Sequence, residues 1–588
     1  MVPVSFEGCA GSFHPARGTR GVVICSSFGF EEICARKSLV LLAHKLAARG
    51  INVLRFDYFG TGDALGGPLH PHQVESWISN IRAAAAWLKT NAAVSDISLI
   101  GLRLGALLAA NAAPSIEQLS QLVLIAPPLS GKAWLRETQA FSAMIAPPLG
   151  EPTAPSATSE ITLAGYRMTS ETAAALKALT WPSFETASTP LLILSREQTQ
   201  EAQALAQRAG GPSDKVEVLP FAGYGAMMCD PTASEPPIPT LTLIADHLPH
   251  GNALRESGPA NPPCLPLVGA DFVETPVQIG ADGHVNGIFC RPPGGEQRRN
   301  IIVFFNAGGI PRSGWGRMHV DLARKLARFG TSSLRIDLPG LADSAWPGGP
   351  SAVAVISQDL SARISTIIDW LKERGFAEIS LAGACSGAYH AFRTALADPR
   401  IDRLVLLNQG SFVWSATHAM KLAAWQKSKA REMQTKLSAL DSDEQAASDA
   451  AKLMARLFPL AKRFARSSLD AMMALSARAN HVLAQQNPVE AAFHTIAGRG
   501  TKIMLVYSEN DAGLTELERH MGLYLDGDGM DADALPGVSK HILKNADHML
   551  TQPWAREEFG DLVCRFVDQR STVRTEAMER AFRAGRVA

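Results

Sequence analysis

The sequence lacks an excess of charge of either sign: Lys plus Arg number 56, and so do Asp plus Glu. With no net field, nothing draws the chain to nucleic acid or to an anionic membrane surface, and neither is expected as a partner. No apolar run is long enough to cross a bilayer. The most apolar stretch, near Ile97–Ala112, is broken by Arg103 and too short to span. The opening residues Met-Val-Pro-Val-Ser-Phe-Glu show no basic region leading into an apolar run, so no secretory signal is expected. Cysteine is sparse and scattered. Positions 9, 25, 34, 229, 264, 290, 385 and 564 form no C-x-x-C pair and no His/Cys cluster at zinc spacing. No metal or cofactor is implied, and a reducing, cytoplasmic location is the expectation. With 46% hydrophobic and 19% charged residues the chain reads as globular, and 588 residues exceed one ordinary core.

What is present is a pattern written twice, offset by about 280 residues. Leu54-Arg55-Phe56-Asp57 returns as Leu334-Arg335-Ile336-Asp337. Leu122-Val123-Leu124-Ile125 returns as Leu404-Val405-Leu406-Leu407. Helical periodicity alternates with short apolar runs, which implies parallel strands joined by crossover helices. In the second copy, hairpin-like strands (Val273–Gly280 and Val285–Arg291) lead into the fully apolar strand Ile301–Phe305. Its counterpart in the first copy is Gly21–Cys25. Gly, Pro and Asn cluster in 251–266, where periodicity vanishes. The expected division is a domain over 1–250, a linker over 251–266 and a domain over 267–588. An insertion over Pro127–Ser183 in the first copy and a helical cap over about 410–494 in the second follow the same strand. Within that cap Arg456–Arg466 is both basic and apolar. It reads as a solvated helix with an apolar face, or as a docking face for an acidic carrier domain or a phosphorylated cofactor.

The chemistry converges on Gly383-Ala384-Cys385-Ser386-Gly387, which ends an apolar run and opens an alanine-rich helical stretch. This is the nucleophile-elbow pattern of α/β-hydrolases, with cysteine in place of serine. The flanking glycines let strand and helix approach at a strained turn, and the helix N-terminus favours a thiolate and later an oxyanion. The expected fold class is therefore α/β: two tandem α/β-hydrolase domains, each a mostly parallel sheet flanked by helices with a helical cap. A thiol nucleophile needs a base, and the base an orienter, in the chain order acid then histidine. Beyond the strand Ile503–Tyr507, Asp511 is the expected acid and Glu509 the fallback. His548 lies on the loop before the last helix and is the expected base, whereas His541 falls inside a strand. The backbone N–H of Ser386 is one expected oxyanion donor. The other is expected from the loop Asn306-Ala307-Gly308-Gly309, at Ala307 or Gly308.

The same positions in the first copy are degenerate. Its elbow reads Gly101-Leu102-Arg103-Leu104-Gly105, and a guanidinium cannot serve as nucleophile. Aligned through Pro231 and Pro553, Ala226 stands where His548 stands, and Ser195-Arg196-Glu197-Gln198-Thr199 offers no aspartate. This copy reads as catalytically silent. Arg103 is either a packed structural residue or the holder of a carboxylate or phosphate in the old pocket, because a cation at a helix N-terminus calls for an anion to offset it.

Both copies resemble the exosortase A system-associated hydrolases. The first is similar to the type 2 member through Phe30-Glu31-Glu32, Arg36, Leu54–Asp63 and Gly101–Gly105. The second is similar to the type 1 member through Gly308-Gly309, Gly316-Arg317, Leu334–Asp337 and the cysteine elbow, although type 1 members usually carry an acid at the position of Ser386. The resemblance implies acyl handling beside carrier proteins and acyl-activating enzymes. The expected activity is acyl transfer through an acyl-Cys385 intermediate, as a thioesterase or esterase acting on an acyl thioester carried by an acyl carrier protein or coenzyme A. An acyltransferase passing the group to an amine or alcohol is the alternative. A peptidase or lactonase is disfavoured by the cysteine, and a carrier-binding scaffold with two dead pockets is the non-enzymatic rival.

Overall fold

The computed structural model describes residues 1–145, 160–182, 189–196, 200–208, 215–249, 260–280, 285–294, 299–349, 360–414, 487–522 and 535–567, with isolated positions between 351 and 530. Two large sheets form. The first comprises β1 (Val2–Phe6), β2 (Cys9–His14), β3 (Arg20–Cys25), β4 (Ile51–Asp57), β5 (Asp96–Leu102), β6 (Leu119–Ile125), β7 (Leu191–Ser195) and β8 (Val216–Pro220). The second comprises β9 (Leu267–Val268), β10 (Val273–Ile279), β11 (Val285–Arg291), β12 (Asn300–Phe305), β13 (Ser332–Asp337), β14 (Glu378–Ala384), β15 (Arg403–Leu407), β16 (Lys502–Ser508) and β17 (Val538–Leu543).

Their strand orders coincide. The first runs β1-β2-β4-β3-β5-β6-β7-β8, and the second runs β10-β11-β13-β12-β14-β15-β16-β17 with β9 added at the edge. In each, the leading hairpin pairs antiparallel with the next strand and every later pairing is parallel. Helices cover both faces of the parallel strands. For that reason β4, β5 and β14 are buried almost continuously along their length rather than at alternate residues. No helix among the described residues is long and apolar enough to cross a membrane.

Each half has an apolar core of its own, and a third core is shared. In it Phe30, Ile33 and Met227 of the first half pack with Ile310, Trp315 and Leu550 of the second. A buried ionic network joins the halves as well. Arg55 donates to Asp343 at 3.0 Å, and Arg335, its counterpart in the repeat, donates to Asp63, the counterpart of Asp343, at 3.1 Å. Each half thus lends an arginine to the other's aspartate, the reciprocity of a two-fold interface built within one chain. Arg36 adds a contact to Asp343 at 3.0 Å, and Arg312 contacts Asp343 at 2.9 Å and Asp63 at 2.8 Å. Arg317 reaches across to the carbonyls of Gly60, Gly62 and Ala64. Burial by itself would raise the Asp343 carboxyl, but the Arg36, Arg55 and Arg312 guanidiniums hold it well below the usual carboxylate range.

Of the segments expected from the sequence, 251–259 of the linker and most of the cap, including Arg456–Arg466, lie outside the described residues. Of the cap region, residues 410–414 and the helix Pro488–Gly498 are described.

Candidate functional site

β14 ends at Ala384 and the helix Ser386–Ala397 begins one residue later, so Cys385 alone makes the turn. Its backbone is held at φ 51°, ψ −115°, a conformation that costs an L-residue free energy and persists only where the surroundings impose it. The glycines on either side permit it. A Cβ on Gly383 would lie 2.3 Å from the Gly387 backbone, and one on Gly387 would lie 2.7 Å from the Asn306 carbonyl. The Cys385 N–H donates to the Leu407 carbonyl at 2.9 Å, tying the elbow to β15. All eight cysteines are free thiols. Six are buried, Cys264 is exposed and Cys385 is half-buried at the sheet tip.

Asp511 and His548 arrive from separate loops. Asp511 caps the helix Ala512–Met521, its Oδ1 accepting from the Gly513 N–H at 2.8 Å. Its Oδ2 accepts from His548 Nδ1 at 2.5 Å. Since a carboxylate only accepts, the Nδ1 proton is fixed there and Nε2 is left for the thiol. Partial desolvation works against the imidazolium. The neighbouring Cys385 and the bond to Asp511 nevertheless hold the His548 pKa well above its ordinary value. Glu509, the fallback acid, instead accepts from the Asn545 N–H at 3.2 Å, and His541 lies within β17.

Two residues that sequence reasoning missed hold the histidine loop. Asn408 follows β15 with φ 47°. Its amide donates to the His548 carbonyl at 2.8 Å and to Ser508 Oγ at 3.0 Å, and its Oδ1 accepts from the Ser508 N–H at 2.7 Å. Ser508 Oγ in turn donates to the Asp547 carbonyl at 2.8 Å. The only local signal was a polar residue directly after the apolar run Leu404–Leu407, which many strand ends share.

The oxyanion donors need a correction. The Gly308 N–H is already engaged, donating to Ser386 Oγ at 2.7 Å, so it cannot also serve a substrate oxygen. Of the two expected candidates, Ala307 is left for the second position. Beside it lies a cleft lined by Ile310, Trp315, Met318, Leu407, His548 and Met549, among others. His319 also borders this cleft. Burial lowers its pKa to about 4, so it stays neutral there.

In the first half Arg103 sits on an elbow of nearly the same shape, φ 52°, ψ −120°. The anion expected opposite it is supplied by the chain. Arg103 donates to Glu31 at 2.8 Å and to Glu137 at 2.5 Å, with the Ala126 carbonyl at 3.3 Å, and is 1% exposed. No carboxylate or phosphate from solution is needed to offset the guanidinium, and the structural reading of Arg103 prevails. Ala226 lies in the short helix Tyr224–Met227. From that loop it is Tyr224, not Ala226, that faces the cations, under the Arg196 guanidinium at 5.7 Å.

The family described as Serine aminopeptidase, S33, matches residues 19–184, within the half whose elbow carries arginine rather than serine. No curated protein matches the chain. Among solved structures, Est1E from Butyrivibrio proteoclasticus with ferulic acid bound is similar at 16% identity, covering 42% of this chain and 95% of that one, with a TM-score of 0.29. An α/β serine hydrolase homologue from Coxiella burnetii shows 16% identity, 42% and 99% coverage and a TM-score of 0.27. DcsB in complex with its substrate analogue shows 15% identity, 42% and 97% coverage and a TM-score of 0.30. The family match and the sheet order, repeated in the second half, establish the α/β-hydrolase fold.

Proposed function

We propose that the protein is an acyl-transfer enzyme of the hydrolase type, cleaving an acyl thioester or activated ester through an acyl-Cys385 intermediate. The observation that carries this reading is the strained elbow that sets Cys385 beside a histidine oriented by Asp511. The Cys385 thiolate attacks the acyl carbonyl carbon. The resulting oxyanion is met by the N–H of Ser386, the first residue of its helix, and by that of Ala307. As the tetrahedral adduct collapses, His548 gives its proton to the departing thiol or alcohol, leaving the acyl group on sulfur. Water then enters, His548 takes its proton, and the carboxylic acid leaves with the thiolate restored. The apolar side chains of the cleft suit an aliphatic acyl chain. The resemblance of the halves to the exosortase A system-associated hydrolases supports a thioester, on a carrier protein or coenzyme A, as the donor.

The test is incubation with a series of acyl thioesters followed by intact-mass measurement. One acyl adduct on Cys385, absent in Cys385→Ala, is expected, with release of free acid on standing. Absence of any adduct across chain lengths overturns the proposal in favour of a carrier-binding scaffold.

A further inference from the structure

The first half carries neither nucleophile nor base, yet it touches both loops that complete the Cys385 site. Gly308 and Gly309 follow Ala307 in the oxyanion loop. A Cβ on Gly309 would lie 1.8 Å from the Pro231 carbonyl oxygen, and one on Gly308 would lie 2.2 Å from Thr232 Oγ1. At Gly309 backbone rests on backbone across the interface, and at Gly308 it rests on the short Thr232 side chain. Pro231 and Thr232 are themselves held, the Thr232 N–H donating to Asp230 Oδ1 at 2.8 Å. These residues close the loop that, in the second half, carries His548.

On the other side stands the tip of the first half's hairpin, Glu160–Leu163 with Tyr166–Thr169. The Ala164 carbonyl accepts from Trp315 Nε1 at 2.7 Å, and Trp315 forms one wall of the cleft. The Gly165 carbonyl accepts from Arg556 at 2.8 Å. The same guanidinium donates to the Leu550 carbonyl at 2.7 Å and the Thr551 carbonyl at 2.9 Å, immediately after His548. A side chain at position 165 would meet Trp315 Nε1 at 2.6 Å.

We infer that the silent half is a positioning element for the second half's site: Pro231–Thr232 sets the height of the Ala307 donor, and the Ala164–Gly165 tip, through Trp315 and Arg556, sets the cleft wall and the histidine loop. The inference rests on the acyl-cysteine reading. Oxyanion stabilisation depends on donors within a few tenths of an ångström of the developing charge, and a misplacement of about 1 Å costs on the order of 10²-fold in rate. A loop made of two glycines has little stiffness of its own, so what presses on it decides where Ala307 points.

Two rates at one sulfur separate positioning from folding. Acylation of Cys385 by a butyryl thioester of N-acetylcysteamine passes through an oxyanion. Alkylation by iodoacetamide, in which the thiolate displaces iodide, does not. In a Cys264→Ser background, which removes the exposed competing thiol, Thr232→Leu crowds the oxyanion loop while Thr232→Ser keeps the hydroxyl. The expected result is acylation slowed by about 10²-fold in Thr232→Leu, alkylation within about twofold of the parent, and both rates near the parent in Thr232→Ser. Acylation of Thr232→Leu within about threefold of the parent overturns the inference. So does an equal fall in both rates, which marks a stability role alone. A parent protein that alkylates normally but never acylates overturns the proposed function itself, and this inference with it.

Discussion

Replacing Asp511 by Asn separates the two jobs this carboxylate holds. In the native site Oδ1 accepts from the Gly513 N–H at 2.8 Å and Oδ2 from His548 Nδ1 at 2.5 Å. An asparagine that keeps its oxygen on Gly513 turns its NH₂ toward Nδ1. Nδ1 must then accept, the ring proton moves to Nε2, and His548 loses the lone pair that takes the thiol proton. A triad with this change and intact geometry loses on the order of 10³–10⁴ in rate. At ~1.4 kcal/mol per tenfold, that is ~4–5 kcal/mol of transition-state stabilisation. Stability should barely move, because Asn and Asp are equivalent N-caps, whereas Asp511→Ala also forfeits the cap and about 1 kcal/mol. The pH profile gives a second readout. The step in which imidazolium protonates the leaving group fails as pH rises through the His548 pKa. Losing one of the groups that raise that pKa moves this basic limb to lower pH in Asp511→Asn. Acylation rates of Cys385 followed by mass, with thermal melts in parallel, make the test. If Asp511→Asn acylates within tenfold of the parent, or melts as early as Asp511→Ala, the orienting role and its cap argument are wrong.

Asp343→Ala should lower the resistance of the chain to urea by ~3–5 kcal/mol at neutral pH, since three arginines lose a shared buried carboxylate. Because the folded pKa of Asp343 is depressed, its contribution is present above the unfolded carboxylate pKa near ~4 and is lost as pH falls further. The native and variant unfolding curves should therefore converge in acid, and a gap that persists there would contradict the assignment. Ser386→Ala strands the buried Gly308 N–H and should cost ~1–3 kcal/mol in melting experiments, with slower acylation as the oxyanion loop relaxes. Arg103→Ser should destabilise the first half, because Glu31 and Glu137 lose their cation, and mass spectrometry should find no acyl adduct at position 103.

Local constraints were legible in the sequence. The strand expected at Ile301–Phe305 lies within Asn300–Phe305, the one expected at Ile503–Tyr507 lies within Lys502–Ser508, and a helix starts at Pro553 as expected. The elbow was readable because small residues two before and two after Cys385 are what a strand-to-helix turn demands of its immediate neighbours. That Asp511 and His548 meet could be expected from chain order alone, since a parallel sheet delivers successive loops to the same edge. Gly308 was harder to place. Its glycine pattern suggested an oxyanion donor, whereas its N–H goes to Ser386 and the bareness of Gly308 and Gly309 answers to Pro231 and Thr232 of the other half. Asn408 left only the mark of a polar residue at a strand end, because its partners Ser508 and His548 lie far along the chain.

By itself, then, the amino-acid order determined that one α/β pattern is written twice, that the second copy has an elbow thiol with an acid and a histidine following in sequence, and that the first copy has arginine and alanine at the positions of Cys385 and His548. Periodicity, turn strain and glycine spacing act over a few residues, so they leave a readable imprint. Only tertiary structure decided that Arg103 is neutralised by Glu31 and Glu137, and that Arg55 and Arg335 cross to Asp343 and Asp63. It alone showed that the first copy packs against the loop beside Cys385. Those contacts join residues up to hundreds of positions apart, and a pairing at such separation has no period and no neighbouring residue to announce it.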